Sequence, residues 1–259
     1  MNNNKWGRFM FSCSLVVGLL LSSCAGAGQS LVSTPTATSV QQETQTSIST
    51  PLPSITPTAC DLPLPGPADW MVLVCDSFDS SDSVFPDESQ DNPYAKYDGK
   101  TSDGQYQLDY TAKNFAAFTR TALTWFDIAN AQDFAVSVTG QMDTQFQGIS
   151  WGIGFRGSGE KDNYFLFSIY NDGTYAFEIY ENDGWIPLIS RRPFSGILPE
   201  QPNKVTVIAE GQNFRFLVND QAVNFFNGGL LEGLQIFLVV SAREGASVNF
   251  TFDNVVVQL

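Results

Sequence analysis

The stretch "NYFLFSIYNDGTYAFEIYENDGW", residues 163–185, decides the fold. Two runs rich in aromatic and β-branched residues meet at Asn171-Asp172-Gly173, which reads as two strands and a turn. Two registers are open. A two-residue Asp172-Gly173 loop sets Tyr170 against Tyr175 and Ser168 against Phe177, mixing polar and apolar on both faces. A three-residue loop, a type I turn with Gly173 left-handed, divides the faces cleanly. One face then carries Phe165, Phe167, Ile169, Tyr175, Phe177 and Ile179. The other carries Tyr164, Leu166, Ser168, Tyr170, Thr174, Ala176, Glu178 and Tyr180. A one-residue slip would carry the apolar set to the wrong side, so burial selects the three-residue loop. The phenylalanines are expected in the core, and Tyr164, Tyr170 and Tyr180 at least partly outside it.

The preceding run, "WGIGFRG" (151–157), repeats the division. Trp151, Ile153 and Phe155 share one face; Gly152, Gly154 and Arg156 share the other. Two glycines on one face either allow close packing or leave a recessed floor. If this strand lies beside the hairpin, Gly152 and Gly154 would floor a shallow groove rimmed by Arg156 and the tyrosines. Such a groove suits a sugar: tyrosine rings stack on C–H faces, while Arg156, Glu178 and Ser168 bond hydroxyls.

Further out, "FAVSVTGQM" (134–142), "KVTVIAEG" (204–211), "NFRFLVN" (213–219), "GLQIFLVVSA" (233–242) and "VNFTFDNVVVQL" (248–259) read as strands. Turn residues fall between them at Asn182-Asp183-Gly184, Gly211-Gln212 and Asn219-Asp220. Many short strands with no helical period predict an all-β sandwich over residues 60–259. The run from Trp151 to Ile189, "NKVTVIAEGQNFRFLVNDQAV" and the closing "VNFTFDNVVVQL" resemble the concanavalin A-like lectin/glucanase superfamily. The laminin-G-like and keto-disaccharide-hydrolase-like jelly rolls are the nearest in pattern, over residues 70–259. The resemblance implies a two-sheet antiparallel jelly roll with one concave face often used for glycans. It also implies that the first strand, near Phe78-Asp79, pairs with the last, near Phe252-Asp253.

Chemistry is narrowed by what is missing. The sequence contains no histidine, which removes imidazole acid–base catalysis, Ser-His and Cys-His nucleophiles and histidine metal sites. Glucanases of this superfamily carry carboxylates as Glu-x-Asp-x-x-Glu. The nearest match, Glu178-Ile179-Tyr180-Glu181-Asn182-Asp183, lacks the central carboxylate, and Glu178 and Glu181 have opposite strand parity. No catalytic residue is therefore assigned, and a divergent glycoside hydrolase is kept only as an alternative. The acidic run "CDSFDSSDSVFPDESQD" (75–91) lacks an EF-hand pattern. It is expected to be solvated, with no cofactor. Asp79 and Asp253, which the resemblance brings together, are the weak calcium candidates.

The first 59 residues read as belonging to export. Lys5 and Arg8 precede a short apolar run that ends at Leu21-Ser22-Ser23-Cys24, the form of a secretory signal. It resembles the lipobox of bacterial lipoproteins, in which cleavage precedes a lipidated cysteine. Residues 1–23 are then the signal and Cys24 the anchor to a bacterial membrane, outside the cytoplasm. Residues 24–59 are dominated by Ser, Thr, Pro and Gln and read as a disordered tether. The remaining pair, Cys60 and Cys75, is expected to form a disulfide in an oxidising compartment. Its loop of about 15 residues would add ~3 kcal/mol in the chain-entropy account. Removing Lys5 and Arg8 leaves 11 basic against 27 acidic residues, a net charge of −16. Nucleic acid is a poor partner for such a surface. The expected function is a lipid-anchored binding or adhesion module for a glycan or cell-surface partner. The alternative is an interaction lipoprotein that binds no sugar.

Overall fold

The computed structural model describes residues 63–80, 83, 85–114, 117–123, 132–158, 163–229, 231, 233 and 235–259, with 117–123 and 158 described by backbone alone. Cys24, Cys60, the signal and the tether lie outside the described residues.

The described residues form two antiparallel sheets and no helix. The six-stranded sheet contains β5 (Ala117–Leu123), β7 (Ser150–Ser158), β8 (Asn163–Tyr170), β9 (Thr174–Glu181), β10 (Gly184–Pro193) and β14 (Gln235–Ala242). Its order is β10-β9-β8-β7-β14-β5. The nine-stranded sheet contains β1 (Val72–Asp76), β2 (Glu88–Asp91), β3 (Ala95–Ser102), β4 (Gln105–Ala112), β6 (Phe134–Asp143), β11 (Asn203–Glu210), β12 (Asn213–Val218), β13 (Gln221–Asn227) and β15 (Ser247–Gln258). Its order is β13-β12-β11-β6-β15-β4-β3-β2, with β1 also on β15. This is the all-β sandwich expected from the alternating pattern, in the two-sheet jelly-roll form that the resemblance implied.

The register at the opening hairpin is the three-residue one. Phe167 pairs with Phe177 and Ile169 with Tyr175, Gly173 has φ 78°, and its N–H donates to Tyr170 O at 3.1 Å. The Asn182-Asp183 and Asn219-Asp220 loops carry two left-handed residues each, the two-residue hairpin geometry that matches strand twist.

The inward face of the hairpin makes the core. Phe167 stacks on Phe216 at 4.4 Å between centroids, Phe177 lies 4.6 Å from Phe216, and Phe165 lies 5.2 Å from Phe214. These rings come from opposite sheets, so burying them holds the layers together. Each fully buried large side chain contributes about 1.5–3 kcal/mol from water exclusion.

β15 serves three neighbours. Its first half pairs with β4 and its last residues with β1, while β6 runs along its other edge. A bulge between Asp253 and Val256, with Asn254 at φ 52°, marks the division. The first and last described strands thus pair, at Asp76 opposite Val255, a few residues from the expected place.

Candidate functional site

The site is best built from the pairings on the outer face of the six-stranded sheet. Across β9, β8, β7 and β14, one row reads Ala176, Ser168, Gly152, Val239. The next row on one side reads Tyr170, Ser150, Ser241, and on the other Glu178, Leu166, Gly154, Phe237. All these residues have the parity opposite to the core set, so they share the outer face.

A recess of about 250 Å³ opens among them. Tyr170 and Trp185 supply rings, Ser150, Ser168 and Ser241 hydroxyls, Leu166 and Val239 an apolar floor, and Glu178 the carboxylate. No side chain stands between Ser168 and Val239, because that position is Gly152. The guanidinium of Arg191 lies 3.7 Å from the Tyr170 ring centroid. It is pinned there by Asp172 Oδ2 at 2.5 Å and Thr174 Oγ1 at 2.6 Å. Cation and ring together form a fixed wall.

Burial pushes the Glu178 carboxyl above the usual carboxylate range, and the Arg191 charge pulls it back only in part. Burial also raises the Tyr170 hydroxyl, helped by the Glu178 charge and opposed by Arg191 and a Ser150 hydrogen bond. The Glu178 charge therefore acts on the Tyr170 hydroxyl.

Three of the expected tyrosine-groove residues, Ser168, Tyr170 and Glu178, meet in this recess, and Tyr180 lies beside it. Four others do not line it. Tyr164 is 1% exposed. Its ring packs on Phe237, Tyr180 and Trp185 at 4.9, 5.5 and 5.7 Å, a second hydrophobic layer on the outer face. The floor expected at Gly154 is filled, since a Cβ there would sit 2.2 Å from the Phe237 ring. At Gly152 a Cβ would sit 2.2 Å from Phe167 O, so this glycine serves close strand approach and is itself buried.

Arg156 is the clearest correction. Simple alternation puts it on the outer face, but a bulge between Phe155 and Ser158, with φ 51° at Arg156, breaks the alternation. The side chain turns between the sheets and is 2% exposed. Its Nη2 donates to Gln132 O and Gly211 O, both at 2.5 Å, and the guanidinium lies over Phe214 at 4.9 Å. Nε and Nη1 have no hydrogen-bond partner among the described residues. Burial lowers its pKa, with the Asp133 charge acting the other way. Arg156 is an inter-sheet tie and not a groove rim.

Asp79 and Asp253 do come into one neighbourhood. Asp253 is raised by burial first, then by the Asp79 and Asp76 charges, and it accepts the Asn254 N–H at 2.7 Å. Among the described residues no group of three or more His, Cys, Asp or Glu is arranged to hold a metal ion. Cys75 is half-buried on β1 beside Leu64, Ala135 and Val256; its expected partner Cys60 is outside the described residues.

Sequence reasoning missed Ser150, Leu166, Trp185, Val239, Ser241 and Arg191. Ser150 carries a local signal, sharing parity with Gly152. Ser241 and Val239 enter only through the long-range pairing of β14 with β7.

No protein-family model matches this chain, and no curated protein matches it. Solved structures do. The catalytic domain of an endo-1,3-β-glucanase (laminarinase) from Thermotoga petrophila RKU-1 superposes with a TM-score of 0.52 at 10% identity, covering 74% of this chain and 98% of that one. The GlcNAcα1-4Gal-releasing endo-β-galactosidase from Clostridium perfringens gives 0.54 at 10% identity, over 74% and 63%. The endo-β-1,3-glucanase from Pyrococcus furiosus gives 0.51 at 9% identity, over 73% and 94%. At such identities the likeness is one of fold, and the fold agrees with the jelly-roll sandwich described above.

Proposed function

We propose that this chain is a lipid-anchored extracytoplasmic module that binds a glycan on the outer face of its six-stranded sheet. The observation that carries the reading is the recess itself: two aromatic rings, three serine hydroxyls and one carboxylate converge on a small apolar floor. Rings cover the C–H faces of a sugar and the polar groups pair its hydroxyls. The sandwich fold, shared with enzymes named for glucans and galactosides, is consistent with it. The anchor rests on Cys24 at the end of the lipobox-like run and on the Ser/Thr/Pro tether behind it. A Cys60–Cys75 disulfide would staple tether to domain, and mass spectrometry of the exported protein should recover that joined pair.

One observation favours hydrolysis as a second reading. A half-buried carboxyl with a raised pKa, as at Glu178, is what a general acid requires. Against it, glycosidases set two carboxylates ~5–9.5 Å apart across the scissile bond, whereas Glu178 is the single carboxylate among the described residues lining the recess.

A glycan array probed with the exported protein tests the main reading. Binding is expected, with loss in Tyr170→Ala and no sugar release over long incubation. Release abolished by Glu178→Gln would establish the hydrolase instead. Cys24→Ser should move the protein from the membrane to the soluble fraction; fatty acid still incorporated by that variant would place the anchor elsewhere.

A further inference from the structure

Resting on the glycan-binding reading, we infer that the site takes a single sugar ring at a chain end and does not admit the interior of a chain. The recess is closed on three sides. At one end, the Phe237 ring covers Gly154 and meets Tyr164, which meets Tyr180 and Trp185. That aromatic block fills the position where a neighbouring ring of an extended chain would lie. At the other end stands Tyr170 with Arg191 stacked on it, and Arg191 is held by Asp172 and Thr174.

The third side is the edge strand β10. It contributes a side chain at each end: Trp185 at the aromatic block, and Arg191, which crosses β9 to reach Tyr170 on β8. Between them Glu178 turns its carboxyl toward the recess, with Pro187 opposite it on β10. A chain lying across the strands would have to pass over this edge between two fixed side chains. On the remaining side the floor runs onto Val239 and Ser241 of β14. The volume, about 250 Å³, also falls below the ~300–1,000 Å³ of pockets that hold drug-sized ligands. One ring fits; a run of them does not.

The test is a printed array on which glucose, galactose, mannose, xylose, fructose, fucose and N-acetylhexosamines occur both as terminal and as internal residues. Every bound glycan should share one terminal sugar, whatever precedes it. The methyl glycoside of that sugar should compete fully, and exoglycosidase trimming of the terminal residue should cut binding by at least about tenfold, or about 1.4 kcal/mol. Trp185→Ala, at an exposed edge position, should relax the requirement and admit internal residues. Equal binding to trimmed or end-blocked chains by the unaltered protein would overturn the end-on inference while leaving glycan binding standing. Binding to no glycan at all would overturn both.

Discussion

Glu178 is the residue on which site chemistry and folding stability meet. Its folded-state pKa is raised by burial, with Arg191 compensating in part. A carboxyl that ionises less readily folded than unfolded costs nothing in acid, where both states are protonated. The penalty appears as pH rises through the window between the ordinary and the raised value. Glu178→Gln should therefore melt with the parent protein in acid and above it at neutral pH. A melting difference that is constant with pH, or of opposite sign, would show that the carboxyl is not desolvated. The signal was half legible: strand parity placed Glu178 outside the core, but Arg191 comes from a strand interrupted by Pro187 and Pro193, which no alternation announced. Arg156 was misread for a local reason, since its left-handed φ reverses parity and an arginine between Phe155 and Gly157 gives no warning of it.

At the scale of elements, the hairpin β8–β9 was legible because its register carried a burial penalty. Only one loop length kept Phe165, Phe167 and Phe177 on one side, and that register is the observed one. The outer face was less legible. Nothing in strands β7 to β9 announces that Phe237, far along the chain, lies over Gly154 and buries Tyr164. Stability should follow the observed packing. Phe177→Ala, which empties a ring site touching Phe155, Phe165, Phe214, Phe216 and Phe226, should cost about 3–5 kcal/mol. Tyr164→Ala should cost a comparable amount, since it too is fully buried. Tyr170→Ala, half-buried with solvent and Arg191 on its flank, should cost about 1 kcal/mol. Chemical denaturation measures all three; a Tyr164 variant as stable as the Tyr170 variant would contradict the second hydrophobic layer. Strand β2 escaped the sequence reading because its ESQD run is polar throughout, whereas β4, QYQLDYTA, alternates in full and was legible but not read.

For the whole molecule, the strand pattern sufficed for the sandwich, while the location of the site depended on which strands became neighbours. The glycines do not open a groove along the sheet. A recess remains among side chains of β7, β8, β9, β10 and β14. The recess offers rings and hydroxyls, so the ligand is to be held by stacking and hydroxyl pairing more than by charge. The most direct test is backbone hydrogen exchange on the full-length protein with and without the sugar that the array returns. Added protection is expected at Ser150, Ser168–Tyr170, Glu178 and Val239–Ser241, on the outer face of one sheet, and lost in Tyr170→Ala. Protection confined to the nine-stranded sheet or to the loops around Asp79 would contradict the account.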